Sequence, residues 1–224
     1  MKLFELDSPL MRGMSKISDL VVINLLTILM CIPIITAGAS FTAMHYCCLK
    51  LVRDHENKIT KQFFHSFKDN ARQSTVIWLI FLGILAFLGG DLYLMYFNPT
   101  ETSTFVFGGI LAVLALLAFI GTMVFPLQAK FYNPIPKTLK TAFLYAFKHF
   151  PRTLLILVVN LLPLSLFFIG RLGLLLFPLE LCFCFSAPAF LAAKLYNKDF
   201  EAAELAILAK NPQPETDAAS ASEN

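Results

Sequence analysis

Five long apolar runs separated by short basic segments constrain this chain more than any motif does. A transmembrane helix needs about 20 mostly apolar residues. Leu20–Ala43, Ser74–Phe97, Phe105–Leu127, Leu154–Gly170 and Leu172–Ala193 meet or approach that length. Of the 18 Lys and Arg residues, 14 fall in residues 43–73, 128–153 and 194–224, between and after the runs. The expectation is an all-α, polytopic helical membrane protein. Residues 1–210 form one membrane domain of about five spans, and residues 211–224, rich in Ala, Ser, Glu and Pro, form a disordered cytoplasmic tail.

The charges also predict orientation, because Lys and Arg accumulate on the cytoplasmic side. With the amino terminus outside and five crossings, inward segments hold 6, 5 and 3 positive charges and outward ones 3, 0 and 1. The expected location is the cell membrane, multi-pass, with the carboxyl terminus in the cytoplasm. Cleavage after Ala37-Gly38-Ala39, as from a signal peptide, would invert that rule at every loop and is rejected. Pro33 and Gly38 interrupt the first run and predict a kink there. In a second arrangement Leu20–Ile32 and Ser40–Val52 form a re-entrant pair, which leaves both termini inside and only Arg171 outside.

Charged residues make up 15% of the chain, well under the soluble norm of about 25%. Five spans and their loops leave no room for a soluble catalytic domain. Orientation at the bilayer accounts for the net charge of +3, so no nucleic-acid partner is expected. Cys31, Cys47, Cys48, Cys182 and Cys184 lie in or beside spans, where small buried hydrophobes are expected rather than disulfides.

Residues 1–17 read as a short amphipathic element on the membrane surface, interrupted at Pro9. Phe63, Phe67, Lys68 and Arg72 reappear 80 residues later as Phe143, Phe147, Lys148 and Arg152. Each set places two rings on one helix face and two cations on another, just before a span. Such helices would lie at the interface and offer a partner-docking surface, and the echo raises the idea of two parallel hairpins.

No phosphate-binding loop, dinucleotide fingerprint, zinc-protease pair or nucleophile elbow occurs. His45, Cys47 and Cys48, with Cys31, form the nearest metal-like grouping. Packing is favoured there, so no metal, no cofactor and no enzymatic activity are expected. Ionisable residues at membrane depth are functional candidates by default. Asp91, Arg171 and Glu180, with Asn24 and Asn160, are therefore candidates for structural pairing or for a polar pathway, and Asp91 and Arg171 are expected to pair. Glu201-Ala202-Ala203 looks like the start of a permease–ATPase contact motif, but Ile207 stands where that motif has glycine.

Asn24-Leu25-Leu26, Ile32-Pro33-Ile34-Ile35-Thr36-Ala37-Gly38-Ala39-Ser40, Thr42-Ala43 and Leu49-Lys50-Leu51-Val52-Arg53-Asp54 resemble the opening of YesL-like bacterial integral membrane proteins, domain-of-unknown-function family 624. Phe63-Phe64, Ser66-Phe67-Lys68 and Asn70 extend the likeness, which is dense over residues 1–80. That resemblance implies genes beside carbohydrate importers, glycoside hydrolases and sugar-responsive regulators. It implies an accessory role in oligosaccharide uptake with carbohydrate ABC permease subunits as partners, and supplies no catalytic residue. The alternative is a small secondary transporter or channel with its own polar pathway.

Overall fold

The computed structural model describes residues 9–53, 58–97, 103–131, 133–167 and 170–210. The described residues are helical almost throughout: α1 (Pro9–Cys31), a short 3-10 turn (Ile34–Thr36), α2 (Ala37–Val52), α3 (Ile59–Phe97), α4 (Ser103–Lys130), α5 (Ile135–Lys148), α6 (Phe150–Phe167), α7 (Gly170–Phe183) and α8 (Ser186–Lys210). The all-helical expectation holds. The stretches expected to form a surface element before Pro9 and a disordered tail at 211–224 lie outside the described residues.

The first apolar run does not continue through its break as one kinked span. Ser40 Oγ donates to the carbonyl of Thr27 at 3.0 Å. Thirteen residues of continuous helix would hold those groups about 20 Å apart. The chain therefore reverses between α1 and α2, which is the re-entrant pairing weighed above. Pro33 stops α1 because its ring denies the helix a donor. Thr36 then holds the turn, its hydroxyl donating to the carbonyls of Met30 at 2.7 Å and Pro33 at 2.9 Å. The Met30 carbonyl, in the last turn of α1, has no helical partner of its own, whereas the Pro33 carbonyl also accepts from the Thr36 N–H at 2.9 Å.

Small residues let the hairpin approach α3. A Cβ on Gly38 would fall 2.5 Å from both the Ser74 carbonyl oxygen and the Trp78 Cβ. Backbones this close are the usual product of small residues at helix interfaces in membranes. Thr42 and Ser74 share a hydrogen bond of 2.8 Å, and the Trp78 indole donates to the Ile34 carbonyl at 2.7 Å. The hairpin tip thus sits beside Trp78, near the middle of the 39-residue α3.

That length, about 58 Å, joins two helices in one. The part before Ser74 is polar and packs against α2, with the Cys47 thiol reaching the Ile59 carbonyl. The part beyond is apolar and largely exposed, including Leu79, Leu85, Phe87 and Leu94. In water such a face would be untenable, whereas lipid is its natural solvent.

Among the described residues three helical segments are long and apolar enough to cross a membrane: Gly13–Cys31, Ile59–Phe97 and Phe105–Lys130. Two bent pairs bring the number up to five if each is one span, Ile135–Lys148 with Phe150–Pro163 at 103° and Leu175–Phe183 with Ser186–Ala206 at 47°. The chain is a multi-span membrane protein. The fifth expected span, Leu172–Ala193, is broken at Cys184 and Phe185.

The duplicated Phe-Lys-Arg pattern does not mark a structural repeat. Its first copy lies inside unbroken α3, whereas its second straddles the sharp bend between α5 and α6. Pro151 permits that bend, since a helix starting at Phe150 takes proline in its first turn without loss.

Candidate functional site

Asn24 is fully buried at the break between α7 and α8. Its amide nitrogen donates to the Leu181 carbonyl at 2.8 Å. Its oxygen accepts from the backbone N–H of Phe185 at 2.9 Å and of Ser186 at 3.0 Å. One side chain thereby satisfies a carbonyl at the end of α7 and two N–H groups at the start of α8. These are groups that a broken helix leaves orphaned, and lipid offers them no substitute.

The other candidates at membrane depth fare differently. Asn160 is half-buried and donates to Ile156 of its own helix at 2.8 Å. Asp91 is half-buried and makes no hydrogen bond or ion pair with a described residue. The Arg171 side chain lies outside the described residues, and the expected Asp91–Arg171 pair with it. Glu180 is partly buried and its Oε1 is fully enclosed without a hydrogen-bond partner among the described residues.

A second polar cluster, at the far end of α8 from Asn24, was not anticipated. Arg53 Nε donates to Asn197 at 2.7 Å and lies 3.4 Å from Glu201, while Arg53 Nη1 lies 3.5 Å from Glu204. Lys130 Nζ meets the same Glu204 carboxylate at 2.5 Å. On the opposite face Asp199 accepts from Arg152 at 2.7 Å and from the Tyr145 hydroxyl at 2.8 Å. α8 is thereby tied to α2, α4, α5 and α6. Arg53 and Glu201 are 148 residues apart in the chain, so no local pattern announces the cluster.

The docking helices require one correction. Phe63 is fully buried, stacked on Phe67 at 6.4 Å, and cannot meet a partner. Phe67 is half-buried against the core, while Lys68 and Arg72 are exposed. In the second copy Phe143 and Phe147 remain 44% and 46% exposed, 4.7 Å apart, with Lys148 and Arg152 beside them. The difference comes from α2, which covers the start of α3 but not α5.

His45 donates to or accepts from the Tyr196 hydroxyl at 3.2 Å, and all five cysteines are free. Among the described residues no group of three or more His, Cys, Asp or Glu is placed to hold a metal.

The segment that organises this half of the molecule is also the segment that resembles a described family. Residues 20–92 match the model of a family described as protein of unknown function, DUF624. The expected resemblance is shown over that segment. Neither a curated protein nor a solved structure matches the chain. The DUF624 segment contains the hairpin turn, all of α2 and most of α3. Asn24, Pro33, Thr36, Gly38, Ser40 and Thr42, which carry the likeness in the sequence, are the residues whose bonds or shape hold the hairpin in place.

Proposed function

We propose that this protein is a non-enzymatic membrane accessory protein associated with oligosaccharide uptake, docking on an ABC-type carbohydrate permease. The observation that carries this reading is the use of its polar groups at membrane depth. Asn24, Ser40, Thr42 and Ser74 are engaged in bonds that fix a helix break or helix contacts, and Thr27 and Asn160 bond back to their own helices. A substrate pathway needs polar groups left free to face its cargo. The DUF624 likeness, through the genomic company that family keeps, supplies the link to carbohydrate import. The basic ends of α2, α3 and α5 face the cytoplasm in this reading, because Lys and Arg accumulate on that side.

The docking surface is the exposed aromatic face of α5, with Phe143 and Phe147 beside Lys148 and Arg152. Aromatic anchors of this kind often contribute about 2 kcal/mol or more to an interface. Phe143→Ala or Phe147→Ala alone should therefore weaken association with the permease in mild detergent by about 30-fold, with membrane insertion unchanged. Movement of a sugar or ion by the purified protein alone in liposomes would sink the accessory reading. A transporter is the second reading because of one observation, the enclosed Oε1 of Glu180, which has no hydrogen-bond partner among the described residues.

A further inference from the structure

A cavity of about 500 Å³ opens between the last turn of α2 and the first turns of α3, walled by Tyr46, Lys50, Lys58, Lys61, Gln62 and His65. Its volume lies within the range of small-molecule sites, about 300–1,000 Å³. Lys50 lies over the Tyr46 ring, 5.6 Å from its centroid, which holds one ammonium at the rim. His65 pairs with Asp69 at 2.7 Å. Lys50, Lys58 and Lys61 have no carboxylate within ion-pair reach among the described residues.

Unpaired surface lysines are ordinary, but here three converge on one concavity whose wall also holds an unsatisfied group. The Gln62 Oε1 is buried and accepts no hydrogen bond among the described residues. A buried amide oxygen left without a donor costs about 1–3 kcal/mol. The site thus offers three ammonium groups for an anion and, once the Gln62 amide turns toward the cavity, one acceptor for a hydroxyl. A carboxylate without a hydroxyl would meet the first requirement alone, whereas phosphate esters of polyols meet both. Basic pockets between helices at a membrane surface are suited to such headgroups.

We propose that this cavity binds a phosphate ester with a neighbouring hydroxyl, presented by a glycerophospholipid headgroup or by a soluble sugar phosphate. The phosphate lies among Lys50, Lys58 and Lys61, and the hydroxyl donates to Gln62. This site is independent of the α5 docking face and of any permease.

The test uses the full chain in phosphatidylcholine nanodiscs and reads thermal stabilisation. In one arm phosphatidylglycerol is added to the lipid, and in the other glucose 6-phosphate is added to the buffer. Stabilisation in the first arm alone assigns the lipid as ligand, and in the second alone the soluble ester. Each Lys→Gln change at positions 50, 58 and 61 should weaken binding about tenfold, the loss expected for one charge-assisted contact. Lys137→Gln with Lys140→Gln, on α5, should leave it unchanged. Gln62→Leu should abolish any preference for phosphatidylglycerol over phosphatidic acid, whose headgroup lacks the hydroxyl. The proposal is overturned if neither ligand stabilises the protein, if the triple lysine variant with unaltered ligand-free melting responds like the parent, or if the α5 variant loses the response equally.

Discussion

Replacing Asn24 by Leu should remove the pin that holds the α7–α8 break. Leu has the same branching at Cγ and is larger than Asn, so no cavity opens and the lost bonds set the minimum cost, with any overpacking adding to it. Three contacts disappear: those to the Leu181 carbonyl, the Phe185 N–H and the Ser186 N–H. Side-chain hydrogen bonds in membrane proteins average about 0.6 kcal/mol each, which puts the floor near 2 kcal/mol. Orphaning two buried N–H groups at a helix start raises the figure, because each unsatisfied group costs about 1–3 kcal/mol. A total loss of about 2–4 kcal/mol follows, or a fall in melting temperature of about 5–15 °C for a chain of this size. The assay is thermal unfolding in mild detergent, followed through Trp78, the one tryptophan in the chain. Asn160→Leu is the control, since its bond runs only to its own helix and its loss should be under about 1 kcal/mol. If the two variants melt within about 2 °C of each other, the side chain at position 24 is not what stabilises the break.

Gly38→Ala should destabilise the protein by about 1–3 kcal/mol, because the added methyl meets backbone on α3 rather than a side chain that can move. Gly83→Ala, which meets open space, should be neutral or better, and equal melting of the two variants would refute the close-approach argument. Single cysteines at Gly13 and Lys58, in a background without native cysteines, should label with an impermeant reagent from the same side of the membrane. Labelling from opposite sides would contradict the reversal at Pro33. Asp199 accepts from Arg152 and Tyr145 as a carboxylate, an ionic tie that protonation would remove. Asp199→Asn should therefore melt below the parent at neutral pH, with the gap closing on acidification. A gap independent of pH would show that the charge is not what ties α8 to Arg152 and Tyr145.

Hydropathy and charge spacing carried the helical membrane class, because a lipid solvent demands long apolar helices whatever their partners. Pro33 and Gly38 likewise announced a break in the first run, since proline acts on its own helix. Whether that break was a kink or a reversal depended on Ser40 finding Thr27 and on Gly38 meeting Ser74, contacts that local pattern does not contain. The same limit explains Phe63 and Phe143. Their local sequences match, yet α2 covers one and leaves the other exposed, so identical spacing led to opposite environments. Asn24 was legible as a polar residue out of place in lipid, but its role came from α7 and α8, more than 150 residues away. The ionic ties of α8 to Arg53, Lys130 and Arg152 were invisible for a related reason. Single charges at helix ends are ordinary, and only packing decides which of them meet.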